Sequence, residues 1–458
     1  MNDQYTDVKV RIFECRGDDY PVEVTLNDEQ EFRGVLPSHI LPWTSSGDPV
    51  DDGQRLFDDL FGDVALRSAW AEARGQAHRR RIRLLIDAPE LNTIPWELLH
   101  EETTTMLSAN ANTPFSRYLS VSKAWGKAVK ERPLRVLAVI SNPADLEDYN
   151  LAPLDTAAEQ SVLETAFSAL DVDDIQLDFL QAPVTLKGIE SALNKGYHIL
   201  HYVGHGVFNK RKQQAALYLQ DELGGTQVVR GDQLVNMLAR QGVQPRLVFL
   251  AACQSATRST ANAFRGLGPS LVGAGVPAVV AMQDFVSIQT AQALSQGFYQ
   301  NLAQHGVVDQ AMNEARSTLL TADRPDAAVP VLFMRLKSGQ LWSEETEASV
   351  LQPEKERPDL AELQWFLAEL REDVERDVPS EQQADALARL KELETAITAQ
   401  VPDSGAMESA HQWFSQSNLR LAGKVLNYII LHPITRELVS FAGKPYAEEY
   451  RQHFVEAK

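Results

Sequence analysis

Cysteine is nearly absent from this chain: its 458 residues include two, Cys15 and Cys253. So few thiols exclude a disulfide framework and a cysteine-rich structural zinc site, and they suit a reducing compartment. A cytoplasmic location is therefore expected, and any thiol chemistry falls on one of two named residues. Long apolar runs are also missing. No stretch approaches the ~20 consecutive apolar residues of a membrane helix. The opening MNDQYTDVKVRIFECRGDDY shows no basic leader ahead of an apolar segment, so neither a membrane span nor a secretory signal is expected. Positive charge is short, with 43 Lys and Arg against 63 Asp and Glu, a net charge of -20. A nucleic-acid binder needs the opposite balance, because its affinity comes largely from neutralising phosphates. Neither GxxxxGK[ST] nor GxGxxG follows any apolar run, so no nucleotide phosphate cradle is visible.

What is present reads as several domains. Residues 1–130 open with strand-like alternation in VKVRIFEC and VEVTL. They continue through a mixed segment (Trp43 to Gly62), a helical stretch at LRSAWAEARGQAH, and RIRLLIDAPELNTIPWELLHEE, read as a strand, a turn and a helix opened by Pro95. This is an α/β subdomain. The basic cluster His78-Arg79-Arg80-Arg81-Ile82-Arg83 leads straight into LLI, which predicts a solvated strand edge rather than a phosphate groove. Residues 131–340 alternate apolar runs with amphipathic segments. The runs are PLRVLAVI (133–140), IQLDFL (175–180), YHILHYV (197–203), RLVFLA (246–251), VPAVVAMQ (276–283) and VPVLFMR (329–335). The pattern predicts a mainly parallel sheet flanked by helices on both faces. A polar stretch over 341–358 reads as a linker. Residues 359–458 repeat apolar positions at three- and four-residue steps, which predicts an α-helical domain.

Two of the apolar runs end on reactive side chains. HILHYVGHG ends at His205 between Gly204 and Gly206, and RLVFLAACQSA reaches Cys253. The separation, 253 − 205 = 48 residues, is close to the ~50 of caspase-type proteases. Consecutive parallel strands present their carboxyl ends on one rim, where ligands of such sheets sit. A thiol is a poor nucleophile until an imidazole takes its proton or stabilises its thiolate. An attacked carbonyl then needs N–H donors for its developing negative charge, and the backbone amides of Gly206 and Cys253 are the candidates. Taken singly, a lone strand Cys is usually a small buried hydrophobe and a lone His a loop residue. Glycine flanks, strand ends and spacing together favour a catalytic dyad. His201 and His205 lack further nearby ligands, so no metal site is expected. Cys15, in an alternating strand remote from any histidine motif, reads as structural.

HILHYVGHG and LVFLAACQSA resemble the His and Cys motifs of the CHAT family, caspase-like proteases related to separase. LNTIPWELL, PLRVLAVISNP and GAGVPAVVAMQDFVS are similar to other family segments, and the resemblance covers roughly residues 80–336. It implies a caspase-like α/β fold, with the amino-terminal subdomain a candidate pseudo-caspase unit, and a cysteine endopeptidase that cleaves a protein substrate without metal or organic cofactor. By resemblance, Asp284 is a candidate S1 acid for a basic P1 residue, through charge-assisted hydrogen bonds. The bland reading is a helix cap near Ser287. Asp145, in the acidic loop Asp145-Leu146-Glu147-Asp148, is a second S1 candidate against the commoner reading of a solvated loop. The basic stretch FNKRKQQAA (208–216) reads as a regulatory or self-cleavage loop, or merely as a connector. The family implies regulated proteolysis of the bacterial defence or cell-death type, with the helical tail recruiting a substrate or docking an activator. The competing class is a catalytically silent caspase-fold scaffold acting through that tail.

Overall fold

The computed structural model describes residues 5–101, 105–119, 128–129, 132–168, 170, 173–209, 214–251, 258–283, 286–324, 326–342, 360–399, 402–442, 446, 450–451 and 453–454. The chain forms two compact units, Met1–Glu345 and Thr346–Lys458.

The first unit is built on one eleven-stranded sheet. It opens with an antiparallel meander of β1 (Thr6–Ile12), β2 (Asp19–Leu26) and β3 (Gln30–Pro37). Helices α1 (Pro49–Leu60) and α2 (Val64–Gln76) follow, each started by an aspartate, Asp48 and Asp63, whose carboxylate accepts first-turn N–H groups. Next come β4 (Arg80–Ile86), a short hairpin of β5 (His100–Glu101) and β6 (Thr105–Met106), and β7 (Phe115–Tyr118). The central part runs β8 (Leu134–Ile140), α3 (Thr156–Phe167), β9 (Ile175–Phe179), α4 (Leu186–Leu193) and β10 (Ile199–Val203). A separate small sheet of β11 (Gly206–Asn209), β12 (Gln214–Gln220) and β13 (Thr226–Arg230) then projects from the β10 end. The unit is completed by α5 (Gly231–Ala239), β14 (Leu247–Ala251), α6 (Arg258–Gly273), β15 (Ala278–Met282), α7 (Ile288–His305), α8 (Val308–Thr321) and β16 (Pro330–Met334).

The order across the large sheet is β3-β2-β1-β4-β7-β16-β15-β14-β10-β8-β9. Pairing is parallel except for the meander and the β15–β16 pair. The strands β8, β10, β14 and β15 are apolar because helices cover both faces: α3, α7 and α8 pack together as one layer, α4, α5 and α6 as another. Every residue of β10, β14 and β15 is buried. Each large aliphatic there contributes roughly 1.5–3 kcal/mol by leaving water, enough to hold the strand tips rigidly. Because the sheet is continuous, the subdomain read over residues 1–130 shares it with the segments that follow.

Three local expectations change. The arginines of β4 do not line a solvated edge, since β4 lies between β1 and β7. Arg81 and Arg83 are buried against Asp309 (2.7 Å) and Asp7 (2.6 Å). Those acids come from distant parts of the chain, which local charge patterning does not show. The segment after Pro95 forms a 3-10 turn, Trp96–Leu98, rather than a helix. Cys15 lies beyond the end of β1, exposed, with its thiol 3.5 Å from the Gly17 carbonyl.

The second unit is helical: α9 (Ala361–Asp377), α10 (Ser380–Thr398), α11 (Ser404–Ser417), α12 (Leu419–Lys424) and α13 (Pro433–Ala442). A π-helical turn, Val425–Ile430, follows α12. Leu363, Leu367, Leu370 and Val374 of α9 meet Leu390, Leu393 and Ile397 of α10 in a core of its own.

Candidate active site

Strand register sets the site. β14 lies beside β10 in parallel, with Ala251 opposite Val203, and β8 flanks β10 on the other side, with Ile140 opposite Val203. His205 lies two residues past Val203, and Cys253 two residues past Ala251. Cys253 lies outside the described residues.

His205 is fully buried. Its Nε2 is 2.8 Å from the Ala152 carbonyl. A carbonyl only accepts, so Nε2 carries the proton and Nδ1 holds the basic lone pair. Nδ1 has no hydrogen-bond partner among the described residues. Burial pulls the imidazole pKa below its ordinary value, partly offset by the bond to Ala152. The ring is therefore neutral at pH 7 and ready to take a proton at Nδ1. The sequence pointed to no third member for a dyad, because a backbone carbonyl leaves no mark in residue type.

The backbone of His205 is held too. Its carbonyl accepts from the Tyr202 hydroxyl (3.1 Å) and from the Tyr218 N–H (3.1 Å). Gly204 is required between them, because a Cβ there would overlap the Tyr202 hydroxyl. The Tyr218 bond also makes Gly206–Leu217 a non-hydrogen-bonded pair, which turns the Gly206 N–H away from β12.

His201, on the same strand, belongs to the core. Its ring stacks on Phe249 (centroids 4.7 Å apart) and its Nδ1 is 2.8 Å from the Tyr299 hydroxyl. Burial lowers its pKa to about 3.

Of the two S1 candidates, Asp284 lies outside the described residues. Asp145 stands just before a short 3-10 turn, Leu146–Tyr149, which its side chain does not cap; it accepts the Thr226 hydroxyl at 2.6 Å, tying the β8–α3 loop to the β12–β13 hairpin. That bond holds its carboxyl below the usual carboxylate range. Gln283, immediately before Asp284, is anchored from both sides. Its N–H donates to the Val329 carbonyl (3.1 Å) and its side-chain oxygen accepts from Arg117 (3.3 Å). Arg117 in turn grips Glu97 bidentately, at 2.9 and 2.7 Å. Sequence reasoning picked out LNTIPWELL without a role for Glu97 and missed Arg117 altogether. The buried pair links that segment to the rim beyond β15.

Among the described residues, no group of three His, Cys, Asp or Glu side chains is placed to hold a metal ion. None of the described helices is long and apolar enough to cross a membrane.

The model of the CHAT domain matches residues 50–386. The chain belongs to the CHAT domain family. No curated protein sequence matches it. Solved structures similar to it include the Saccharomyces cerevisiae separase–securin complex, at 14% identity and a TM-score of 0.31, over 59% of this chain and 16% of that one. The complex of Porphyromonas gingivalis RgpB pro- and mature domains is similar at 11% identity and a TM-score of 0.35, over 58% of this chain and 66% of that one. This CHAT chain thus spans less than a fifth of the yeast chain and just under two thirds of the RgpB chain. Likeness at these scores leaves the family match to carry the assignment.

Proposed function

We propose that this CHAT protein is a cysteine endopeptidase with Cys253 as nucleophile and His205 as its acid and base. The observation that carries the reading is the register of β10 and β14, together with an imidazole whose Nε2–H is committed to Ala152 and whose Nδ1 is left basic. In the proposed reaction, Nδ1 takes the Cys253 proton as sulfur bonds to the scissile carbonyl carbon. The carbonyl oxygen gains negative charge, facing the N–H groups of Gly206 and Cys253. The tetrahedral adduct collapses as the Nδ1 proton passes to the departing amine, leaving a thioester. Water then attacks the thioester, giving its proton to Nδ1, and the thiol is regenerated.

Cleavage after Arg or Lys is part of the proposal, with Asp284 as the S1 acid and Asp145 as a secondary contributor at the rim. A role in regulated proteolysis of the bacterial defence type, inside the cell, with a partner docking on the helical unit, completes the reading. The deciding experiment is a positional-scanning peptide library on the purified wild type and on Cys253→Ala. Wild type is expected to cut after Arg or Lys, while C253A is silent with an unchanged thermal transition. Cutting by the alanine variant would show that the nucleophile has been misassigned. Exposed Cys15 reacts with any plain electrophile, so active-site labelling calls for a peptide electrophile with a basic P1 residue. Modification of Cys253 no faster than Cys15 by that reagent favours the scaffold reading.

A further inference from the structure

The register of β10 with β8 brings another residue to the level of His205. Asn142 lies two residues past Ile140 on β8, as His205 does past Val203 on β10. It therefore flanks His205 on the side away from β14. Its side chain makes a two-way clamp on Leu154: Nδ2 donates to the Leu154 carbonyl (3.0 Å) and Oδ1 accepts the Leu154 N–H (2.9 Å). Asn142 is itself held from behind. Its carbonyl accepts from Gln220 Nε2 at 3.2 Å, and Gln220 Oε1 accepts the Val184 N–H at 2.6 Å.

The clamp matters because of what it adjoins. Leu154 is two residues after Ala152, whose carbonyl fixes the His205 tautomer. Ala152 and Pro153 are exposed, so no packing on their own side chains holds that carbonyl in place. Only Pro153 intervenes between clamp and carbonyl, and its ring locks φ. The Asn142–Leu154 bonds and the locked Pro153 φ therefore restrict the orientation of the Ala152 carbonyl from the Leu154 side.

We propose that Asn142 is a positioning residue, which through Leu154 and Pro153 aims the Ala152 carbonyl at His205 Nε2 and so keeps the lone pair on Nδ1. Its catalytic consequence rests on the peptidase reading above; its effect on the imidazole does not.

The test has two arms. In the first, the full chain carrying ¹⁵N-labelled histidine is compared as wild type, Asn142→Ala and Asn142→Asp. Long-range ¹H–¹⁵N correlation reports the tautomer of each of the 10 histidines, and His205 is assigned as the signal lost in His205→Gln. Wild type should show His205 as a single Nε2–H tautomer. N142A should show a mixture, and N142D an intermediate state, because it keeps the acceptor for the Leu154 N–H and loses the donor. His201 should be unmoved in both variants. Should N142A fail to fold, N142D and Gln220→Ala carry the comparison. A pure Nε2–H tautomer in every folded variant overturns the proposal. In the second arm, kcat on the best library peptide should fall about 10²-fold in N142A with KM little changed. A rise in KM alone would also overturn it. A wild type that cuts no peptide refutes the peptidase reading, while the tautomer arm still decides the role of Asn142.

Discussion

His201 lies four residues before His205, and acid should separate the two. In the folded chain its pKa is about 3, against 6.5 for an unperturbed imidazole. The cause is burial against Phe249 and Tyr299, with the Tyr299 hydroxyl as its polar partner. Because the folded pKa lies below the unfolded one, the unfolded chain binds a proton here first. The stabilisation from the neutral ring is complete above pH 6.5 and is lost as pH falls toward 3. Each pH unit in that window costs about 1.4 kcal/mol, so His201 alone should remove about 2 kcal/mol between pH 7 and pH 5. The control is His201→Phe, which keeps an aromatic ring on Phe249. That variant orphans the Tyr299 hydroxyl at a cost of about 1–3 kcal/mol, the same at every pH. Urea unfolding of both proteins at pH 7 and pH 5 cancels the other titrating groups. The gap between wild type and variant should shrink by about 2 kcal/mol in acid. Parallel pH curves would refute the placement of His201 as a neutral core histidine.

Two further outcomes follow from buried contacts near the rim. Arg117→Met strands Glu97, whose side chain is 1% exposed, so unfolding free energy should fall by about 3–5 kcal/mol. Arg117→Met with Glu97→Met should recover most of it in urea titration, and a double variant no better than the single would show that the charge pair is not the cause. Gly204→Ala drives a Cβ into the Tyr202 hydroxyl, which should cost about 1–3 kcal/mol by overpacking. It should also release the His205 carbonyl, seen as faster hydrogen exchange at the Tyr218 amide; unchanged exchange there would contradict the described bond.

The core strands, and the ends that matter, are legible in one dimension. Apolar runs too continuous for one-sided burial required a covered, mainly parallel sheet, and the run carrying His205 ended in glycines, where no regular strand continues. The expectation that Cys253 lies beside it rests on the rule that consecutive parallel strands share a rim; the register of β10 with β14 bears that rule out as far as Ala251, and Cys253 lies outside the described residues. Contacts made by backbone, or by partners far along the chain, emerge only on folding. The Ala152 carbonyl on His205 has no residue signature, since every residue carries the same acceptor. Arg81 with Asp309 and Arg117 with Glu97 look, in one dimension, like ordinary charges on a surface. Burial reverses their meaning, because a charge removed from water persists only where folding supplies its partner, and that partner is chosen by the path of the chain in space.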